Sequence, residues 1–158
     1  TDEPTDEPIE EPKRERKAPY EVQGLHKNLN GRDWLTTCEK YSQTERCRTL
    51  IWASTVVRGK SGYEVKKAWV FNNLTYLPAH RELWQGNPLG DIKATKEGLF
   101  TSGGRQWRTE CDTEKTGRGA CRSYVMATVV SAKPKATGGY TFVQYDAWVF
   151  NNLVLFDN

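Results

Sequence analysis

The chain has 158 residues, 37% hydrophobic and 11% aromatic, with six Trp, seven Tyr and a net charge of +3. That length holds one core, or two small ones sharing an interface, and the aromatic content suits half-buried pleated surfaces better than helical bundles. No run of about 18 apolar residues occurs, which excludes a membrane-spanning helix. The modest net charge hides an asymmetry: residues 1–12 carry six acids and no base, which leaves +9 on residues 13–158. A basic body attracts anionic partners, although charge runs are ordinarily just solvated.

Residues 1–19 (TDEPTDEPIEEPKRERKAP) hold four of the seven prolines and a repeated TDEP. Low hydrophobicity and dense charge predict a disordered acidic Pro-rich tail. The first residue is Thr1, with no apolar export segment after it, and the chain is read as a mature or trimmed form, with any export signal already gone. The folded part is expected over 20–158 as a single β domain.

That domain is built from two copies of one repeat of roughly 75 residues, with cores at 31–77 and 104–156. In the first copy Gly31-Arg32-Asp33-Trp34 leads to Cys38 and then Cys47-Arg48, and the copy closes on Ala68–Leu74, AWVFNNL. The second has Gly104-Arg105-Gln106-Trp107, Cys111, Cys121-Arg122 and the same heptapeptide at Ala147–Leu153. Each copy reads as a three-stranded meander. Residues 32–38 form a short strand, 39–46 a polar loop, 47–57 a buried strand and Arg58–Gly62 a turn. Residues 63–76 then alternate, with Tyr63, Val65, Trp69 and Phe71 on one face and Glu64, Lys66 and Asn72 on the other. Two such meanders are expected to pack as a small sandwich or barrel, which removes exposed edges. Between the copies, Pro78–Gly90 is a linker with one helical turn at His80–Trp84, and Ile92–Phe100 is expected to add a strand.

The four cysteines fall in matching places of the two copies. Three pairings are open in principle, and the duplication favours Cys38–Cys47 and Cys111–Cys121. Neither spacing is the C-x₂₋₄-C of structural zinc modules, and His26 and His80 lie outside both pairs. Each bridge closes a loop of about ten residues, a contribution of somewhat under 3 kcal/mol on the chain-entropy model. Paired cysteines place the protein outside the reducing cytosol, as a secreted, extracellular chain.

No nucleophile elbow, Walker loop, H-E-x-x-H or dinucleotide fingerprint is present. The carboxylates Asp33, Glu39, Asp112 and Asp146 do not pair convincingly as an acid and a base, so no catalytic residue is assigned. What repeats is Arg with Trp. Arg32/Trp34 and Arg105/Trp107 are two apart and share a strand face, while Arg48 and Arg122 follow the second cysteine of each pair. Together these six residues are the candidate ligand-binding set, a basic aromatic groove able to hold a planar anion. The structural alternative makes each Trp core and each Arg a lid stacked upon it. Trp52, Trp69 and Trp148 are expected in the core, and Asn72/Asn73 and Asn151/Asn152 are expected to end strands and satisfy turn backbone. Asn73-Leu74-Thr75 matches a glycosylation sequon, but the repeat alone accounts for its Asn. No specific nucleic-acid signal is present, and the chain is expected to be a monomer.

The GRxW–C…CR blocks, the WVFNNL strands, the linker Arg81–Gly90 and the block Trp107–Tyr124 (WRTECDTEKTGRGACRSY) resemble the RoxP-like secreted antioxidant proteins of skin actinobacteria. The likeness runs from about residue 22 to the end and leaves the acidic tail outside. It implies an exported protein that protects bacteria against reactive oxygen species and a positively charged groove suited to a substrate or cofactor, with no catalytic set to carry over. With the thiols oxidised and Met126 the only methionine, the remaining electron donors are Trp and Tyr, consumed stoichiometrically. Turnover requires a bound redox-active ligand, for which an anionic planar cofactor such as a tetrapyrrole or flavin is the expected class. The competing expectation is a non-catalytic extracellular module that binds an anionic ligand, cell-wall polymer or partner protein; an unrecognised hydrolase ranks last.

Overall fold

The protein is described here from a computed structural model covering residues 15–157. Most of the expected tail, residues 1–14, lies outside the described residues. Residues 15–19 lie inside them, and Pro19 is buried, its carbonyl accepting a 2.6 Å hydrogen bond from Thr36 Oγ1.

Eight strands follow in order: β1 Gly24–Leu29, β2 Arg32–Tyr41, β3 Thr44–Gly59, β4 Gly62–Ala79, β5 Leu99–Ser102, β6 Arg105–Cys111, β7 Ala120–Pro134 and β8 Tyr140–Phe156. The runs are rich in Val, Ile, Thr and aromatics, which suit a pleated, half-buried surface. Asn30-Gly31 and Gly103-Gly104 turn the first hairpin of each copy with positive φ at both residues, the geometry that matches the twist of the strands it joins. Cys38–Cys47 and Cys111–Cys121 are disulfide-bonded, as the duplicated spacing predicts.

Three expectations are corrected. Each copy is a four-stranded meander, because a short strand, β1 or β5, precedes the Gly-Arg-x-Trp block; in the first copy the predicted loop 39–46 is also strand on both sides of a two-residue turn, whereas 112–119 in the second is a loop. The copies do not stack as a sandwich or close as a barrel. They join edge to edge in one sheet of order β1-β2-β3-β4-β8-β7-β6-β5, through a parallel β4–β8 ladder over Leu74–Ala79 and Asn152–Phe156. The strand expected at Ile92–Phe100 is a short 3₁₀ turn, Ile92–Ala94, with β5 starting only at Leu99. The helical turn in the linker is present as 3₁₀ at Arg81–Trp84.

The seam decides which side of the sheet each residue occupies. Leu74 pairs with Asn152 and Thr75 with Leu153, so the two heptapeptides are one register apart. A slip of one residue exchanges faces, and equivalent residues of the two copies therefore lie on opposite sides of the sheet. One face carries Trp34, Thr36, Cys47, Thr49, Asn73 and Thr75, covered by residues 19–21. The other carries Trp107, Thr109, Ser123, Asn152 and the second disulfide. There Trp84 seals a core of Tyr76, Cys121, Val154 and Phe156. Each heptapeptide also holds a bulge at its first Asn, Asn72 or Asn151, which reverses the alternation. Phe71 and Asn73 thus face opposite sides although two apart. The Asn pairs do not end strands; Asn73 and Asn152 are buried mid-strand at the seam.

Beyond Trp52 and Met126 the pairs β3/β4 and β7/β8 continue as two-stranded arms, since β2 and β6 pair no further than Ile51 and Val125. The arms touch near their ends. The Tyr63 and Phe142 rings are 5.5 Å apart, and Tyr63 Oη donates to Gln144 Oε1 at 3.4 Å.

Candidate functional site: stacked arginines on the second copy

The six residues expected to form one groove are distributed over both faces. Arg32, Trp34 and Arg122 lie on one; Arg48, Arg105 and Trp107 lie on the other. Arg48 pairs with Thr37 while Trp34 pairs with Ile51, an odd offset that puts Arg48 and Trp34 on opposite sides of the same hairpin. The indoles of Trp34 and Trp107 are engaged in equivalent ways, donating to Leu29 O at 2.9 Å and Ser102 O at 3.1 Å. They latch the first hairpin turn of each copy. Arg32 and Arg105 are exposed just beyond those turns.

The two post-cysteine arginines also act alike. Arg48 stands 4.8 Å from the Phe71 centroid and Arg122 4.1 Å from that of Phe150. A guanidinium so placed is attracted by the ring and keeps its N–H fork free for a planar anion.

Beside Arg122 the second copy adds groups that the first lacks. Arg108 lies 4.8 Å over Tyr124 and 5.5 Å from Trp148, and Lys115 is 5.3 Å from the Tyr124 ring. Three cations thus gather on Tyr124, Trp148 and Phe150. Glu110 balances them in part, accepting from Tyr124 Oη at 3.3 Å. Nε of Arg108 and of Arg122 are both buried without a hydrogen-bond partner among the described residues. Tyr20, packed on Trp34, reaches the edge of this cluster; burial raises its phenol pKa, and the nearby Arg122 opposes the rise. In the first copy Leu35 and Leu50 occupy the places of Arg108 and Tyr124. That divergence between otherwise matched positions is the sequence signal for this cluster, and it lies outside the residues that the two copies share.

Trp52 and Trp69 are not core. They form a cross-strand edge-to-face pair, centroids 5.4 Å apart, each 39% exposed, and among the described residues no guanidinium stacks on either. Trp148 is half-buried under Arg108. The carboxylates considered for acid–base work have structural partners. Asp33 accepts from Asn28 N, Glu39 pairs with Arg46, Asp146 accepts from Thr128 and Asp112 binds Arg81. No protein family, curated protein or solved structure matches this chain.

Proposed function

We propose that the chain is a secreted antioxidant protein whose Trp52–Trp69 pair reduces oxidising radicals in the surrounding medium. The observation that carries the reading is the exposure of this edge-to-face pair, over which no cation of the described residues is stacked. An adjacent guanidinium disfavours the positive charge left on an oxidised indole, so Trp148 under Arg108 is the poorer donor. In the step itself one indole gives one electron to the radical and its N–H proton to water, and the neutral indolyl radical remains. Both cysteine pairs are disulfides and supply no thiol. Without a bound redox cofactor each ring is consumed.

The test exposes wild type and Trp52→Phe/Trp69→Phe to a stable radical cation, then maps oxidised residues by peptide mass. The fast phase should belong mostly to Trp52 and Trp69, and the double variant should lose it. An unchanged fast phase in the variant overturns the assignment.

The cluster around Arg108 and Arg122 favours a second reading, a binding module for an anionic planar ligand. Charge-assisted contacts of about 1.5–3 kcal/mol each predict that Arg108→Ala/Arg122→Ala weakens the binding of a flavin or tetrapyrrole carboxylate at least about a hundredfold. Equal titration curves for variant and wild type would remove that reading.

A further inference from the structure

The far ends of the two arms form a surface separate from both sites above. The first arm closes through Gly59-Lys60-Ser61-Gly62 and the second through Pro134–Gly139, PKATGG. Apart from the lysines and Pro134, these turn residues are small. Arg58, Lys60, Lys133 and Lys135 sit on the turns or at the strand positions flanking them, and none is ion-paired among the described residues. Among the described residues of the turns and the strand positions flanking them the one acid is Glu64, whose side chain folds over Gly59. Just behind the turns lies an aromatic group: Phe142 contacts Tyr63 at 5.5 Å and Tyr140 at 6.3 Å, and Tyr140 is 45% exposed. The Tyr63–Phe142 contact brings both arm ends together.

We propose that the joined arm ends dock onto an anionic phospholipid bilayer. Charge complementarity selects a polyanion, and the geometry selects a planar one. The cations stand at the end of the molecule on two adjacent turns, where a flat surface meets both at once. A linear polymer would instead be held by cations spaced along a groove. The small turn residues let the lysines approach phosphates without steric obstruction. Tyr63 and Tyr140 are set one step back on either side of Phe142, and the amphipathic tyrosine ring favours headgroup depth. Each lysine or arginine near such a surface strengthens binding about fivefold, with an effect confined to about a Debye length.

Flotation of the full chain with phosphatidylcholine vesicles, with and without a phosphatidylglycerol fraction, tests the proposal. Wild type should float only with the anionic vesicles, and roughly 0.5 M salt should release it. Lys60→Glu/Lys135→Glu, at exposed turn positions, should weaken binding by at least about 25-fold with an unchanged circular dichroism spectrum. Lys93→Glu/Lys96→Glu on the linker changes the net charge equally and should weaken it by less than about fivefold. Equal losses in the two variants would mean that overall charge, not the arm ends, attracts the vesicles, and would overturn the assignment. It is likewise overturned if wild type ignores anionic vesicles while binding soluble polyphosphate, which would identify a linear polyanion as the ligand.

Discussion

Trp84 is where the linker meets the sheet, and replacing it tests whether the linker seals the seam between the copies. The side chain is 2% exposed, packs edge-on to Tyr76 at 4.8 Å and stacks near Tyr41 at 6.2 Å, over the core with Val154 and Phe156. Trp84→Ala removes a large apolar surface and leaves a cavity, a cost of about 3–5 kcal/mol. For a chain of this size that corresponds to a fall of roughly 10 °C in Tm. Trp84→Phe separates packing from polarity. The indole Nε1 is buried without a partner among the described residues, so the change deletes no hydrogen bond to them and should cost only about 1–2 kcal/mol of transfer and cavity energy. From the opposite side, a Cβ on Gly90 would stand 2.7 Å from Trp84 Cβ and Cγ. The indole is walled in by Tyr76 and Tyr41, so Gly90→Ala should destabilise by about 1–3 kcal/mol. Urea melts followed by tyrosine and tryptophan fluorescence measure all three. A Trp84→Ala midpoint close to that of wild type would refute the sealed-seam reading, and the order Ala worse than Phe would have to hold as well.

Two further outcomes follow from the hydrogen bonds. Arg81 contacts Asp112 with both terminal nitrogens at 3.0 Å, which, with the Gly119 N–H, holds the Asp112 carboxyl below the usual carboxylate range. A depressed folded value gives stability that is present above the unfolded pKa and lost as pH falls through the folded one. Asp112→Asn, which tolerates the positive φ at this position, should therefore melt below wild type at neutral pH, with the gap closing in acid; a gap that persists at the lowest pH contradicts the ion-pair account. Thr36→Val should cost about 1–2 kcal/mol and more than Thr109→Val, because the Thr36 hydroxyl bonds both Thr49 and the buried Pro19 carbonyl whereas, among the described residues, the Thr109 hydroxyl bonds Ser123 alone. Equal thermal shifts for the two variants would show that residues 19–21 contribute little to the fold.

The duplication, the two disulfides and the all-β character were legible in the sequence because each depends on local identity. AWVFNNL recurs, the cysteines stand nine and ten residues apart at matching places of the two copies, and Asn-Gly or Gly-Gly marks the first hairpin of each. Residues two apart in a regular strand do share a face, which is why Tyr63, Val65, Trp69 and Phe71 line up as the alternation predicts. The alternation ends at Asn72, where the bulge adds a residue to one strand only. Nothing in a single strand reveals such an insertion, since it exists only relative to a partner.

The tertiary structure alone decided how the copies meet. An edge-to-edge parallel seam and face-to-face packing are both compatible with the same apolar pattern. The one-register offset between Leu74 and Asn152 then sent equivalent residues to opposite sides of the sheet. That offset separates Arg48 from Arg122 and divides the six expected groove residues between two faces. It also places the cationic aromatic cluster at positions where the copies differ, Arg108 for Leu35 and Tyr124 for Leu50. Sequence identity fixes what each repeat can form locally, but the face a side chain occupies depends on the hydrogen-bond register with a strand more than 70 residues away.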